Sequence, residues 1–275
     1  MAVVTTNNMP SHAGFDFRLL DVAALFFYDF SSLTPPALRL FDDASNFTLF
    51  SGTGIAGAFD GLGSLTSIDA GTVAGVRWVV GGVDVIKVTG ANASAVALFN
   101  AYVADDTQAF VNLVLAGNDT VNGTASADYL VGAGGNDKVN GLAGNDTLLG
   151  GTGIDTLTGG TGKDTLTGGA SGDFFVFNSV LNAITNVDRI TDFSAPADTI
   201  RLENGIFTAF AAVGAIAADA FHQGAAAHDA TDRIIYNPLN GALNYDSNGD
   251  AAGGTIRFAT LSAGLTLSAL DFVVI

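Results

Sequence analysis

The sequence predicts a mainly β protein built round a right-handed parallel β-roll of nonapeptide repeats. β-rich regions flank the roll on both sides, and two short helices precede it. Three periodicities in phase predict this. Aspartate recurs every nine residues, at Asp119, Asp128, Asp137, Asp146, Asp155, Asp164 and Asp173. Glycine keeps the same step at Gly123, Gly132, Gly141, Gly150, Gly159 and Gly168. A large apolar residue stands two places after each aspartate: Val121, Leu130, Val139, Leu148, Leu157, Leu166 and Phe175. A flexible Gly/Asp/Thr linker has no reason to keep that third series in phase.

Each unit reads as a six-residue loop followed by a three-residue strand. In "GGTGID", residues 150–155, glycine opens backbone angles closed to other residues and lets carbonyl groups converge. In "TLT", residues 156–158, Leu157 points inward and the threonines outward, following the strand period of two. One such strand buries too little to hold alone, whereas stacked strands bury a continuous Val/Leu ladder. Two strands and two loops close a turn, so a turn takes 18 residues.

That arrangement sorts the aspartates onto two edges. Asp119, Asp137, Asp155 and Asp173 fall on one; Asp128, Asp146 and Asp164 fall on the other. Neighbours on an edge lie about 4.8 Å apart. Like charges at that distance repel by about 1 kcal/mol in water and by several in a less polar setting. Such a ladder, flanked by loop carbonyls, calls for a hard cation. Calcium takes six to eight oxygen ligands in flexible geometry, whereas magnesium demands a strict octahedron and sheds water reluctantly.

The nonapeptide G-G-x-G-x-D-x-U-x resembles that of the repeats-in-toxin (RTX) calcium-binding β-roll family. Residues 150–158 and 159–167 match it at every position. "GAGGNDKVN" and "GLAGNDTLL" lose the second glycine, and "GTASADYLV" loses both later ones. "GGASGDFFV" carries Ser171 at a glycine position, and "VLAGNDTVN" opens without the glycine pair. The resemblance implies that each Ca2+ lies between loops 18 residues apart, bound by the aspartates and glycine-loop carbonyls of both. The pairs are then 119 with 137, 128 with 146, 137 with 155, 146 with 164, and 155 with 173. The implied ligands besides the seven aspartates are Gly132, Gly135, Gly141, Gly144, Gly150, Gly151, Gly153, Gly159, Gly160, Gly162, Gly168 and Gly169. The strongest sites are expected in the middle, at Asp137, Asp146, Asp155 and Asp164.

The chain divides into residues 1–113, the roll at 114–177, and a β-rich region at 178–275. Residues 173–202 resemble the segment that closes the roll in serralysin-type secreted metalloproteases. Asp188, Asp192 and Asp198 within it read as solvated turn residues rather than ligands of a further calcium. Residues 232–250 read as a hairpin turning at 237–241. Asp246, Asn248 and Asp250 resemble the start of an EF-hand loop, but Ala251 and Arg257 replace its glycine and glutamate, so a plain turn is expected. "LSALDFVVI", residues 267–275, is similar to the uncleaved export signal of type I secretion substrates, and equally to a final core strand.

Residues 46–90 read as short strands broken by glycine turns, and 94–102 and 107–115 as helices, the second entered through Asp105 and Asp106. "FFYDF", residues 26–30, and Trp78 read as buried strand rather than an exposed sugar platform. No H-E-x-x-H, G-x-S-x-G or phosphate-loop motif is present, and His12, His222 and His228 are scattered along the chain. The chain is therefore expected not to be an enzyme. An enzyme or a carbohydrate-binding adhesin, with its site in residues 1–113 and a surface glycan or a protein as partner, is the alternative.

Twenty-seven acidic residues against 10 basic give a net charge of −17, which disfavours nucleic acid and anionic lipid as partners. Cysteine is absent, so disulfides and thiolate sites are excluded. The N-terminal stretch lacks a basic start, Asp16 and Asp21 flank its apolar run, and no transmembrane segment is expected. With the resemblance, these point to an extracellular, calcium-dependent protein exported by type I secretion machinery.

Overall fold

The computed structural model describes residues 109 and 111–275 throughout and residue 97, together with the backbone of residues 3–6, 30–34, 37–43, 46–59, 65–80, 83–94, 107, 108 and 110. The earliest strands are β1 (Val3–Thr6), β2 (Phe30–Thr34), β3 (Ala37–Asp43), β4 (Asn46–Phe59), β5 (Leu65–Val80) and β6 (Val83–Ser94). They pair antiparallel in the order β1-β6-β5-β4-β3-β2. The expected short strands broken by glycine turns are here longer ones. Gly52, Gly57 and Gly75 fall at register shifts inside β4 and β5, where a bulge takes up the extra residue. Residues 26–29, Asp105 and Asp106 lie outside the described residues, and of the first expected helix only Ala97, which is helical, lies within them. Trp78 lies in β5, opposite Thr48 and Ile86. The second helix is present as α1 (Thr107–Val114), and Val111, Val114 and Leu115 are buried at its end of the roll.

The roll consists of β7 (Thr120–Asn122), β8 (Tyr129–Gly134), β9 (Lys138–Ala143), β10 (Thr147–Thr152), β11 (Thr156–Thr161), β12 (Thr165–Ala170) and β13 (Phe174–Phe177). Alternate strands pair in parallel, Leu148 opposite Leu166 and Leu157 opposite Val139, so each turn takes 18 residues as expected. β8 to β12 run to six residues rather than three, because the first three residues of each following loop continue the strand. Leu148, Leu157 and Leu166 are fully buried, as are Val121, Leu130, Val139 and Phe175. Each such side chain stabilises the stack by roughly 1.5–3 kcal/mol. The inward face includes the glycine two residues on, as at Gly150 and Gly159, which matters for the site.

Further strands extend the roll at both ends, although β8 is the last strand of the even-numbered sheet. β1 pairs in parallel with β7, so one sheet runs from the N-terminal strands through the odd-numbered roll strands. At the other end β14 (Asp188–Ile190) pairs with β12, and β15 (Thr199–Leu202) with β13. Five of the remaining strands are β16 (Gly214–Ala215), β17 (Phe221–Gln223), β18 (Ile234–Asn237), β19 (Ala242–Asp246) and β20 (Thr255–Thr260). The last, β21 (Phe272–Val274), lies between β15 and β16, with Phe272 and Val274 buried. β18 and β19 form the expected hairpin, and Asn237 O accepts the Gly241 N–H at the turn. Aromatic rings fill this region: Phe258 packs against Phe177 at 4.9 Å and Phe207 at 5.2 Å, and Phe207 against Tyr245 at 5.0 Å. Among the described residues no helix is long and apolar enough to cross a membrane.

Candidate metal centre

The aspartate edges are built by one repeated hydrogen bond. From Asp119 to Asp155, the backbone N–H of each aspartate donates to Oδ1 of the aspartate 18 residues on. The distances are 2.7 Å for Asp119 to Asp137, 2.8 Å for Asp128 to Asp146, Asp137 to Asp155 and Asp146 to Asp164, and 2.9 Å for Asp155 to Asp173. All seven aspartates are buried. One oxygen of each upper carboxylate is thus fixed by the main chain. The other is not: Oδ2 of Asp137, Asp146, Asp155, Asp164 and Asp173 is buried and receives no N–H or O–H.

A buried acceptor left without a donor costs roughly 1–3 kcal/mol, and more when charged. Burial alone does not explain it. In the C-terminal region the buried carboxylates are met on both oxygens or capped: Asp198 Oδ2 by Ser194 N–H at 2.8 Å, Asp246 Oδ2 by the Thr255 hydroxyl, and Asp271 Oδ2 by Ser268 N–H at 2.6 Å. Among the described residues, the orphaned oxygens are confined to the repeats.

The glycines explain how those oxygens are placed. Gly132, Gly141 and Gly150 point inward, and a Cβ on any of them would strike Oδ2 of the aspartate five residues later. The same Cβ would meet the carbonyl oxygen of the glycine one turn on: Gly150 O at 2.6 Å, Gly159 O at 2.6 Å and Gly168 O at 2.5 Å. Carboxylate and carbonyl oxygens therefore converge on the space a side chain would fill. Gly159 and Gly168 stand in the same way against Asp164 and Asp173. The later loop glycines take the left-handed backbone, with φ of 117° at Gly151, 118° at Gly153, 98° at Gly160 and 140° at Gly162. Gly135, Gly144 and Gly169 do likewise. A Cβ there would enter the backbone one turn earlier. Where glycine is missing the conformation persists, with φ of 77° at Ala133, 76° at Leu142 and 91° at Ser171.

The donor set is thus oxygen only, carboxylate plus carbonyl, in stacked and adaptable loops. That chemistry fits calcium and disfavours a soft or nitrogen-seeking metal. The protonation energetics agree. Burial pushes Asp137 and Asp146 up to about 7, against the pull of the backbone N–H, and the aspartates above and below add to the rise. Asp173 is pushed up to about 6 by burial, and Asp155 and Asp164 are raised for the same reason. Without a cation the ladder resists full ionisation.

Asp128 differs from the others, because its Oδ2 accepts the Thr124 N–H at 2.6 Å and the Thr124 hydroxyl at 3.0 Å. The threonine stands in part where a cation would, in the repeat that lacks the later glycines.

Two residues read as solvated turns belong to the ladders. Asp188 Oδ1 accepts the Asp164 N–H at 3.1 Å, and Asp198 Oδ1 accepts the Asp173 N–H at 2.9 Å. Asp188 and Asp198 are 5% and 4% exposed, so the solvated reading is corrected. Their signal was the Asp-x-Ile spacing of 188–190 and 198–200, which follows the repeat rule. Steps of 24 and 25 residues broke the period and hid it. Asp192 is exposed as expected, yet it accepts N–H bonds from Gly168 at 3.0 Å and Gly169 at 2.8 Å. Asp246 bonds Asn248 N–H and Thr255, as a structural turn. Asparagines just before the aspartates repeat the pattern, Asn118 and Asn136 on one edge and Asn145 on the other, accepting N–H bonds from residues 136, 154 and 163 at 2.8 Å each. The recurring "GND" carried that signal.

The profile of the RTX calcium-binding nonapeptide repeat (4 copies) matches residues 115–148 and again 149–179. No curated protein sequence matches the chain. Among solved structures, the chain is similar to the solution structure of the R3 subunit of the mannuronan C5-epimerase from Azotobacter vinelandii. The two are 26% identical, the match covers 57% of this chain and 78% of that one, and the TM-score is 0.23. The periodic ladders and the repeat match together define residues 115–179 as RTX-type calcium-binding nonapeptide repeats wound into a β-roll.

Proposed function

We propose that this chain is exported unfolded by type I secretion machinery and folds outside the cell when its ladders meet calcium, without catalysing a reaction. The orphaned Oδ2 oxygens of Asp137, Asp146, Asp155, Asp164 and Asp173 carry the reading. At low free calcium these oxygens have nothing to meet them, and a chain of net charge −17 repels itself. At about millimolar calcium, the range of extracellular modules, ligation stabilises the folded state and folding is coupled to binding.

The C-terminal strand supports the same order of events. Phe272 and Val274 are buried between neighbouring strands, so an export receptor that reads residues 267–275 must read them before the chain folds. The region from Asp188 onward caps the roll in the manner of serralysin-type secreted proteins, and residues 1–113 are left to engage a surface partner.

The test is a calcium titration followed by circular dichroism, with magnesium as control. A cooperative gain of β structure with calcium and none with magnesium is expected. Full β structure in excess chelator at neutral pH would overturn the proposal.

A further inference from the structure

His222 and His228 stand six residues apart, one on a strand and one in the loop that follows it, and the fold brings their rings together. His222 lies on β17, which pairs in parallel with β18. Residues 224–233 join the two strands and carry His228 and Asp232. The buried Asp232 organises this loop: its Oδ2 accepts the His228 N–H at 2.5 Å and the Asp229 N–H at 3.1 Å. The His228 ring is thereby set beside His222, centroids 5.5 Å apart and planes 14° from parallel. His222 Nδ1 lies 4.0 Å from Asp232 Oδ2, and one ligand atom from each of the three residues falls within 4.8 Å of the others.

We propose that His222, His228 and Asp232 hold a single transition-metal ion of the zinc class, at a site separate from the calcium roll. Two imidazoles and one carboxylate form a donor set that zinc accepts, with a fourth position open to water. Calcium, which takes oxygen ligands, has no use for it. A carboxylate offers about four acceptor positions, and the two backbone donors leave the others for an ion.

The site needs little movement to close. Ligand atoms round tetrahedral zinc stand about 3.3 Å apart, given bonds of about 2.0–2.1 Å. His222 Nδ1 and Asp232 Oδ2, 4.0 Å apart, are near that separation. His228 must turn its ring out of the stack to aim a nitrogen at the ion. Its side chain is 72% exposed, and its 3.4 Å contact with the exposed Asp229 is a weak restraint. The bound ion would staple the 224–233 loop to β17.

The test is titration of the full chain with zinc chloride by calorimetry, and with cobalt chloride by visible absorption, in the presence and absence of calcium. Wild type is expected to bind one zinc per chain and to give the intense visible bands of low-coordinate cobalt. His228→Ala, at an exposed position, should weaken zinc binding at least tenfold and abolish those bands while leaving the calcium response unchanged. His222→Gln should do the same. Equal zinc binding by wild type and His228→Ala would place the ion on the acidic ladders and overturn the proposal. No zinc binding by the calcium-folded protein would also overturn it. Because the site is read in calcium-folded protein, a failure of calcium-driven folding is seen separately.

Discussion

The backbone N–H of Asp137 donates to Asp155 Oδ1 at 2.8 Å, while Asp155 Oδ2 is buried with no donor at all. The two oxygens of one carboxylate thus have separate duties. Oδ1 sets the register between turns, and Oδ2 faces the carbonyl of Gly168 across the space that Gly150 leaves open. The first duty needs only an acceptor, and the second needs negative charge matched by a cation.

Asp155→Asn separates those duties. The amide oxygen still accepts the Asp137 N–H, but the charge is lost. In calcium the folding midpoint should move to higher concentration by about tenfold, equivalent to about 1.4 kcal/mol. In chelator the sign reverses, because one repulsive charge has been removed, and residual β structure at pH 8 should increase. Calcium titrations and chelator spectra by circular dichroism read both. A loss of structure under both conditions would mean that Asp155 acts only through packing.

The raised carboxylates give calcium-free protein an inverted pH profile. A group whose folded value lies above its unfolded one stabilises the fold below the unfolded value, near 3.8, and loses that contribution as pH rises through the folded value. For Asp173 that value is about 6, for Asp137 and Asp146 about 7, and for Asp188 about 8. In chelator the roll should therefore be most stable in mild acid, lose stability progressively from about pH 4 upward, and have lost this contribution by about pH 8. With calcium present the same protons compete with the ion, so affinity should rise over that range. Thermal unfolding at pH 4.5 and 8, with and without calcium, checks both slopes.

The roll was legible because its period is exact from Asp119 to Asp173, and because each Asp-x-apolar step fixes an inward side chain. The ends were not. Asp188 and Asp198 occupy the same register, but loops of irregular length precede them, and no local pattern reports a pairing across 24 or 25 residues. The parallel pairing of Val3–Thr5 with Thr120–Asn122 spans more than a hundred residues and left no trace in sequence. His222 and His228 looked scattered because a strand and its return loop, not a motif, place them together.

The degenerate loops contain correctable strain. Leu142 has φ of 76° and is 54% exposed, so glycine there relieves a left-handed backbone with little loss of burial. Leu142→Gly should stabilise the calcium-bound protein by about 1 kcal/mol, net of glycine's greater unfolded freedom. Gly151→Ala should destabilise by more than that, because its Cβ is driven into the Ala133 carbonyl at φ of 117°. Melting temperatures in saturating calcium should move in opposite directions, by about 2–4 °C upward for the first.

The seam between roll and C-terminal region can be tested at Asp188 and Asp192. Asp188 Oδ1 is the acceptor for the buried Asp164 N–H, at 3.1 Å. Asp188→Ala leaves that donor unmet away from water, which costs about 1–3 kcal/mol in calcium-bound protein. Asp188→Asn retains an acceptor and should recover most of the loss. Asp192 also accepts two backbone N–H bonds, but it is exposed, so water can replace its carboxylate and Asp192→Ala should cost less. Chemical denaturation in saturating calcium should rank the variants Asp192→Ala above Asp188→Ala, with Asp188→Asn close to wild type. If Asp188→Ala unfolds no more easily than Asp192→Ala, the ladder ends at Asp164, and the C-terminal region is held to the roll by its strands and aromatic core alone.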